Sequence, residues 1–534
     1  MSKPSSIITS SPSTRVLDAL RRQHFVTLEG VLASAGLFVT GLLVAFSRIE
    51  YRSIWRDEGI TLEAISGPWS SFPHRWFRQD FVMGFYFAVT KLWVQLLGGD
   101  SPRSLRTISA LSVASLVVVC WWTARRLAGY RAAIVAVALL LTSQVVLLAA
   151  HDARAYALVA LLGSSSYLAL IHRFDSTHGL WLFACLSALT AYAHPLGVLA
   201  PIGMLAGSYV VADKRTRSRL LRAGCVLGIL VSPIAVAQLR ARTGLFWLGR
   251  PGLRSLEFSA EWLLVGFGPR TAQVLRVAIL IFGSVLAITW MLRAWRPANS
   301  RRPWSHMRPL TPKEAAVGPH VVASPEARSV TAMSLAALVG WALVPTVTLL
   351  VLTYAHEPIF VDRYVLISVP AVLLLASVGL ARLPLLPCLV IGATVAMMWS
   401  GPAATSMRWQ ANENWWGAFD ASNARRTPSD MVMAGDGWPV MLYYFRLQSK
   451  PAPEQAFPVW PTAADARPFA RTLVDVEASL KVLPADRTIW LYTFEGEPSD
   501  AIGPLGDALE TLRRKGYDAS FGQVRVRSFL PRPV

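Results

Sequence analysis
The chain has 534 residues, 53% of them hydrophobic and only 16% charged, with a mean hydropathy of +0.42. A soluble protein of this length needs far more charge to cover its surface, so a soluble globular class is excluded. The net charge of +20 does not mark a nucleic-acid binder, because residues 401–534 carry 15 Lys and Arg against 15 Asp and Glu and the whole excess lies in the apolar part. Basic loops between membrane spans follow from the positive-inside rule and from attraction to anionic lipid.

Residues 1–28 read as a polar, Ser-rich cytoplasmic tail with Arg21 and Arg22 next to the first apolar block. That block has no small-residue cleavage site after it and is expected to be a retained span. Apolar blocks near 29–46, 107–124, 132–150, 155–171, 179–193, 196–212, 221–239, 272–291, 330–353, 365–381 and 384–400 give about 11 spans, each near the length a helix needs to cross a bilayer. Residues 82–97 are apolar but short and carry Lys91 and Gln95. They are expected to lie flat on the outer surface within a loop over 47–106. With that choice the basic clusters at 213–222 and 293–328 fall on the inside, where they belong. Residues 29–400 then form a transmembrane domain, and an odd span count puts residues 401–534 outside the cell as an α/β domain. Met431–Ala434, Ile489–Thr493 and Val524–Phe529 read as its strands and Ala501–Lys515 as a helix. The fold class is therefore mainly α, a polytopic bundle with a C-terminal extracytoplasmic α/β domain. Cys120, Cys185, Cys225 and Cys388 all sit in apolar blocks, which argues against a disulfide framework or a CxxC metal site.

Four polar groups fall at the outer ends of these spans. They are Trp55-Arg56-Asp57-Glu58, His151-Asp152-Ala153-Arg154-Ala155-Tyr156, His194-Pro195, and His356-Glu357-Pro358 followed by Asp362-Arg363-Tyr364. Charged residues at a membrane boundary with little loop around them are costly unless paired, and four such groups on one face predict a shared cavity.

An Asp-Glu pair in the first outer loop is the hallmark of GT-C-fold glycosyltransferases. The chain resembles their protein-mannosyltransferase and aminoarabinose-transferase-like branch (the family 39/83 type). Trp55-Arg56-Asp57-Glu58 resembles that branch's W-x-D-E opening. Ser104-Leu105-Arg106 and Ala124-Arg125-Arg126-Leu127-Ala128-Gly129 resemble the two ends of its second span. Ala150-His151-Asp152-Ala153-Arg154-Ala155-Tyr156-Ala157-Leu158 is similar to S-Q-E-A-R-M-Y-A-L, Tyr192-Ala193-His194-Pro195 to Y-T-H-Y, and Arg363-Tyr364 to the R-Y that opens a late span. Asn414-Trp415-Trp416 resembles the start of the outer domain. The series runs in order over most of 50–445. It departs at Gln79-Asp80-Phe81-Val82-Met83-Gly84, where the family often has His or Asp with Pro-Pro, and at Asp152, where many relatives have Glu.

The resemblance implies an inverting transfer of a sugar, mannose or similar, from a polyprenyl-phosphate donor to an acceptor hydroxyl on a glycan, lipid or protein, in the plasma membrane at its extracytoplasmic face. Asp57 is the expected base, since a carboxylate within about 3 Å of the attacking hydroxyl can take its proton. Glu58 would orient Asp57 or meet the sugar, and Asp152 would hold the acceptor or an ion. Arg363 and then Arg154 would stabilise the leaving phosphate. Tyr156, His194, Tyr364, His356 and Glu357 complete the substrate-binding set. No cofactor is called for by the residues themselves. A divalent metal, used by some GT-C relatives, would sit near Asp57 and Asp152. The competing reading is a transporter or flippase of lipid-linked sugars, which should show repeated halves and helices broken near mid-bilayer.

Overall fold
The structure is a computed structural model that describes residues 28–73, 83–173, 176–241, 250–265, 270–294, 325–356, 358–384, 386–387, 413–434, 438–448, 454–455, 479–481, 483–494 and 503–531. Its helices, in chain order, are α1 (Leu28–Phe46), α2 (Arg56–Ser66), α3 (Gly84–Trp93), α4 (Pro102–Leu141), α5 (Gln144–Ala150), α6 (Tyr156–Arg173), α7 (Thr177–Ala193), α8 (Leu199–Val211), α9 (Lys214–Ala241), α10 (Leu253–Val265), α11 (Arg270–Ala294), α12 (Pro325–Ala355), α13 (Asp362–Val365), α14 (Val369–Leu380), α15 (Trp415–Asn423), α16 (Trp438–Leu447) and α17 (Gly503–Leu512).

Six described helical segments are long and apolar enough to cross a membrane, and two shorter apolar ones, Tyr156–His172 and Pro195–Val211, join them. Helices occupy ten of the eleven expected stretches, and the eleventh, 384–400, lies almost wholly outside the described residues. Burial sorts them by position. In Asp362–Leu380, 83% of the apolar window is buried, against 17% in Leu28–Phe46, so the helix run that carries Arg363 is central and α1 is peripheral.

Local sequence explains several of the starts. Ser101 accepts from the Ser104 N–H at 3.2 Å with Pro102 at the first helical position of α4. Ser176 does the same for Gly179 in α7 at 3.0 Å, and Asp213 for Thr216 in α9 at 2.9 Å.

Two expectations need correction. The span predicted over 132–150 is broken after Leu141, and α5 starts afresh at Gln144. Thr142 and Ser143 fall at the break, with the Thr142 hydroxyl turned back on a backbone carbonyl of α4, as such side chains do when they compete with the helix ladder. The inside loop predicted at 213–222 is mostly the first turns of α9, whose basic side chains stay exposed or half-exposed while the helix continues as an apolar segment long enough to cross a membrane. The expected surface helix is α3, followed by a turn over Val94–Gly98. It buries Tyr86, Phe87 and Lys91 and exposes Leu92, Leu96 and Leu97.

The C-terminal part holds a five-stranded sheet of β1 (Met431–Met433), β2 (Glu454–Gln455), β3 (Ile489–Phe494), β4 (Lys515–Phe521) and β5 (Val524–Phe529), in spatial order β2-β1-β3-β5-β4. The first three are parallel, and β3-β5-β4 are antiparallel. Side-chain alternation divides its two faces. Met431, Met433, Ile489, Leu491 and Phe529 pack with Leu505 and Leu509 of α17. Val432, Trp490, Tyr492, Val524 and Val526 face the other way, into a cluster with Trp415, Phe419, Val440, Tyr444 and the residues around α2. β2 and β4 were not expected. β2 has two residues, and β4 is polar and mostly exposed.

Candidate functional site
The site is built on the first turn of α2. Glu58 is fully buried there and accepts four hydrogen bonds: from Arg106 Nε at 2.7 Å, Arg106 Nη2 at 2.6 Å, the Ala153 N–H at 2.9 Å and the Trp55 N–H at 3.4 Å. Arg106, also buried, spends its remaining donors on the carbonyls of Ile49, Arg52 and Ser53. Burial alone would raise the Glu58 carboxyl, but Arg106 outweighs it and holds Glu58 ionised. Glu58 therefore has no face left for a substrate. It ties the 51–55 loop, α4 and the 151–155 turn to α2, and Thr61 adds a hydrogen bond to the Ala153 carbonyl at 2.8 Å.

Asp57, one residue earlier, points the other way. Its Oδ2 accepts from Arg363 Nη1 at 2.6 Å and lies 3.7 Å from Arg154 Nη2, while Arg154 Nη1 donates to the Asp57 carbonyl at 3.0 Å. Burial would raise the carboxyl, but Arg363 and then Arg154 overcome it and hold Asp57 below the usual carboxylate range. The Nε atoms of Arg154 and Arg363 are buried with no hydrogen-bond partner among the described residues.

Asp152 joins this group through Trp55, whose Nε1 donates to Asp152 Oδ1 at 3.0 Å and whose ring lies 5.9 Å from the Arg363 guanidinium. Burial, and then the neighbouring Glu58 carboxylate, push Asp152 up to about 6. His194, at the break between α7 and the turn that leads into α8, stands with its ring 6.1 Å from Tyr156 and 5.1 Å from Tyr364. Burial and the nearby Arg154 and Arg363 lower it to about 3, so it is neutral. Tyr156, His194, Arg363 and Tyr364, with Val159, Leu196, Gly197 and Ile367, line a small hollow of about 10 Å³ that is partly open at its mouth.

Eight of the ten expected residues thus converge: Asp57, Glu58, Asp152, Arg154, Tyr156, His194, Arg363 and Tyr364. His356 does not join them. It is exposed just past the end of α12, and Glu357 lies outside the described residues. Among the described residues no three His, Cys, Asp or Glu side chains gather as a ligand set. Asp57, one of the two carboxylates named for a metal, faces two guanidinium groups that would repel a divalent cation, so this arrangement does not fit one.

Sequence reading missed Glu413. Its Oε2 accepts from the Arg56 N–H at 3.1 Å and from Trp415 Nε1 at 2.8 Å, its Oε1 lies 3.4 Å from Arg56 Nε, and its carbonyl accepts from Ser53 Oγ at 2.6 Å. Burial raises its carboxyl. A lone glutamate 357 positions after its partner carries no spacing signal.

No protein-family model and no curated protein sequence matches the chain. Solved structures do. The crystal structure of ArnT from Cupriavidus metallidurans in the apo state superposes with a TM-score of 0.58 at 15% identity, covering 93% of this chain and 98% of that one. The structure of the same protein bound to undecaprenyl phosphate superposes with a TM-score of 0.54 at 16% identity, covering 92% and 97%. The oligosaccharyltransferase of Archaeoglobus fulgidus, tethered to an acceptor peptide, matches at a TM-score of 0.45 and 12% identity over 91% of this chain and 72% of that one. The chain has the fold of ArnT over nearly its full length, a GT-C fold.

Proposed function
We propose that the protein is a glycosyltransferase that moves a sugar from a polyprenyl-phosphate donor to an acceptor hydroxyl. The observation that carries this reading is the pairing of one carboxylate, Asp57, with two guanidinium groups that keep unsatisfied buried donors beside an aromatic-lined hollow. A buried N–H without a partner is unfavourable, and a phosphate oxygen is the acceptor such groups fit best. That ArnT shares the fold and has been crystallised with undecaprenyl phosphate supports the donor class.

In the proposed reaction the donor phosphate takes hydrogen bonds from Arg363 and Arg154. The bond from the anomeric carbon to the phosphate oxygen breaks with its electron pair leaving on the phosphate, whose charge the guanidinium groups stabilise. The acceptor oxygen attacks from the opposite face, and its proton passes to Asp57. The phosphate draws Arg363 away from Asp57 as it binds, which makes the carboxylate a better base at the moment it is needed. Asp152 orients the acceptor through Trp55 or directly. Tyr156, His194 and Tyr364 line the donor's path. Glu58 acts through position, holding the turn on which Asp57 sits.

The proposed topology has eleven spans, with residues 1–28 cytoplasmic, 29–400 in the membrane, and 401–534 extracytoplasmic. The acceptor, a glycan, lipid or protein, is then met on the outer face. Purified protein in lipid nanodiscs, given radiolabelled polyprenyl-phosphate mannose, arabinose or glucose together with envelope acceptors, should transfer label from one of them. Asp57→Asn should abolish transfer while leaving expression and thermal stability intact. Retained transfer in that variant removes Asp57 as the base, and movement of intact lipid-linked sugar across the bilayer without transfer would instead favour a flippase.

A further inference from the structure
The hydrogen-bond path from the C-terminal sheet to the reacting carboxylate is short. Glu413 pairs by an isolated bridge with Gly522, and the Asn414 N–H reaches the Phe521 carbonyl at 3.3 Å, so its backbone belongs to the edge of the sheet. Trp415, which donates to Glu413 Oε2, is buried and stacks on Tyr492 of β3, with centroids 6.3 Å apart and planes 21° off parallel. The other donor to Oε2 is the N–H of Arg56, the first residue of α2. The Arg56 guanidinium lies 3.8 Å from the centroid of Phe494, also on β3. The first turn of a helix has backbone donors with no partner inside the helix, and a carboxylate placed there both satisfies one and suits the positive end of the helix dipole. Here that carboxylate comes from another part of the chain, one residue away from Asp57. Two further contacts press the same join. The Ile54 N–H donates to the Tyr444 hydroxyl at 2.9 Å, and a Cβ built on Gly59 would stand 2.7 Å from Val440 Cγ2.

We propose that Glu413 is a positioning residue for sugar transfer: it fixes the first turn of α2 from the C-terminal sheet and so sets where the Asp57 carboxylate stands. The inference depends on the role proposed for Asp57. It gives the C-terminal sheet a part in the reaction through geometry. A carboxylate that must meet both an acceptor hydroxyl and a guanidinium pair tolerates little displacement, since about 1 Å of misplacement can lower a rate by about a hundredfold.

The test uses the full-length protein in nanodiscs, comparing wild type, Glu413→Ala, Glu413→Gln, and Asp518→Asn as a control in an exposed ion pair on β4 with Arg525. Amide hydrogen exchange is followed by mass spectrometry, and steady-state transfer is measured against donor concentration. In Glu413→Ala the peptide over 53–62 should exchange about tenfold faster, while peptides over 489–494 and 524–529 keep their protection. Its kcat should fall about tenfold or more with the donor KM within about twofold. Glu413→Gln keeps an oxygen for the Arg56 N–H and should recover most of both. The control should match wild type in both measurements. Unchanged exchange over 53–62 in Glu413→Ala overturns the proposal, as does an unchanged kcat despite faster exchange. Equal loss of protection in the sheet peptides also overturns it, because Glu413 would then be holding the sheet itself together. If wild type transfers no sugar from any donor, the transfer reading fails on that ground, and the exchange of 53–62 alone decides whether the clamp exists.

Discussion

Asp57 and Glu58 are adjacent in sequence, and their environments are opposite. Glu58 and Arg106 have no exposed side-chain surface, whereas the side chain of Asp57 keeps 18% of its surface open. Removing one partner of a buried ion pair leaves the other charge uncompensated, which typically costs about 3–5 kcal/mol. Glu58→Gln should therefore lower the thermal midpoint in detergent markedly, with any activity loss following from misfolding, while Asp57→Asn should leave the midpoint near wild type and remove transfer. Two similar melting curves for these variants would contradict the division. Proton linkage gives a second residue-scale prediction. As pH falls through about 6, Asp152 takes up a proton, while Asp57, held below the usual carboxylate range by Arg363 and Arg154, remains ionised. The plot of log(kcat/KM) against pH should bend downwards near 6 in wild type, and the bend should be missing in Asp152→Asn. A bend that persists in that variant belongs to another group. The sequence showed both carboxylates through their resemblance to W-x-D-E and their place at span ends. It could not show which of them was sealed, because the partner of Glu58 lies 48 positions away, on another helix.

Helix packing at two places depends on residues without a side chain. A Cβ on Gly340 of α12 would run into the Gly203 carbonyl of α8, and one on Gly207 into the Ala336 carbonyl, so these two helices touch backbone to backbone. Gly340→Ala should cost about 1–3 kcal/mol, since neither backbone can step aside cheaply. Gly36→Ala in α1 meets nothing within 4 Å and should be neutral or slightly stabilising. Thermal scans of both variants in one detergent separate a close crossing from a generic helix effect. Gly129 ends the first half of α4 at φ 81° and ψ −170°, a conformation open to glycine and strained for other residues. At the element scale most helices were legible because apolar runs and their Ser, Asp or Pro starts are local signals. The break at Thr142–Ser143 was hidden inside a continuous apolar block. β4 was hidden because its residues are polar and take their strand shape from pairing with β5.

At the scale of the whole molecule, contacts decide which parts share a side of the membrane even before charge decides which side it is. Glu413 touches Arg56, Tyr444 touches Ile54, and Asp57 touches Arg363. The first loop, the start of α13 and the C-terminal sheet must therefore lie on one face. His194 stands at that face, against Tyr364. From there α8 runs 13 residues, about 20 Å of helix, before the chain turns at Asp213 into the basic start of α9. Lys214, Arg215, Arg217, Arg219 and Arg222 thus sit towards the opposite face, and basic clusters of this kind are retained in the cytoplasm. Contact and charge are independent, and together they support the proposed placement of the site and the sheet outside the cell. Single cysteines introduced by Asp518→Cys and by Arg219→Cys, each in a chain whose four native cysteines are replaced by alanine, should report opposite sides with a membrane-impermeant maleimide. The first should label in intact cells, and the second only after permeabilisation. Labelling of both in intact cells would break the contact argument. A clean reversal would keep the fold and the site, and would move the reaction to the cytoplasmic face.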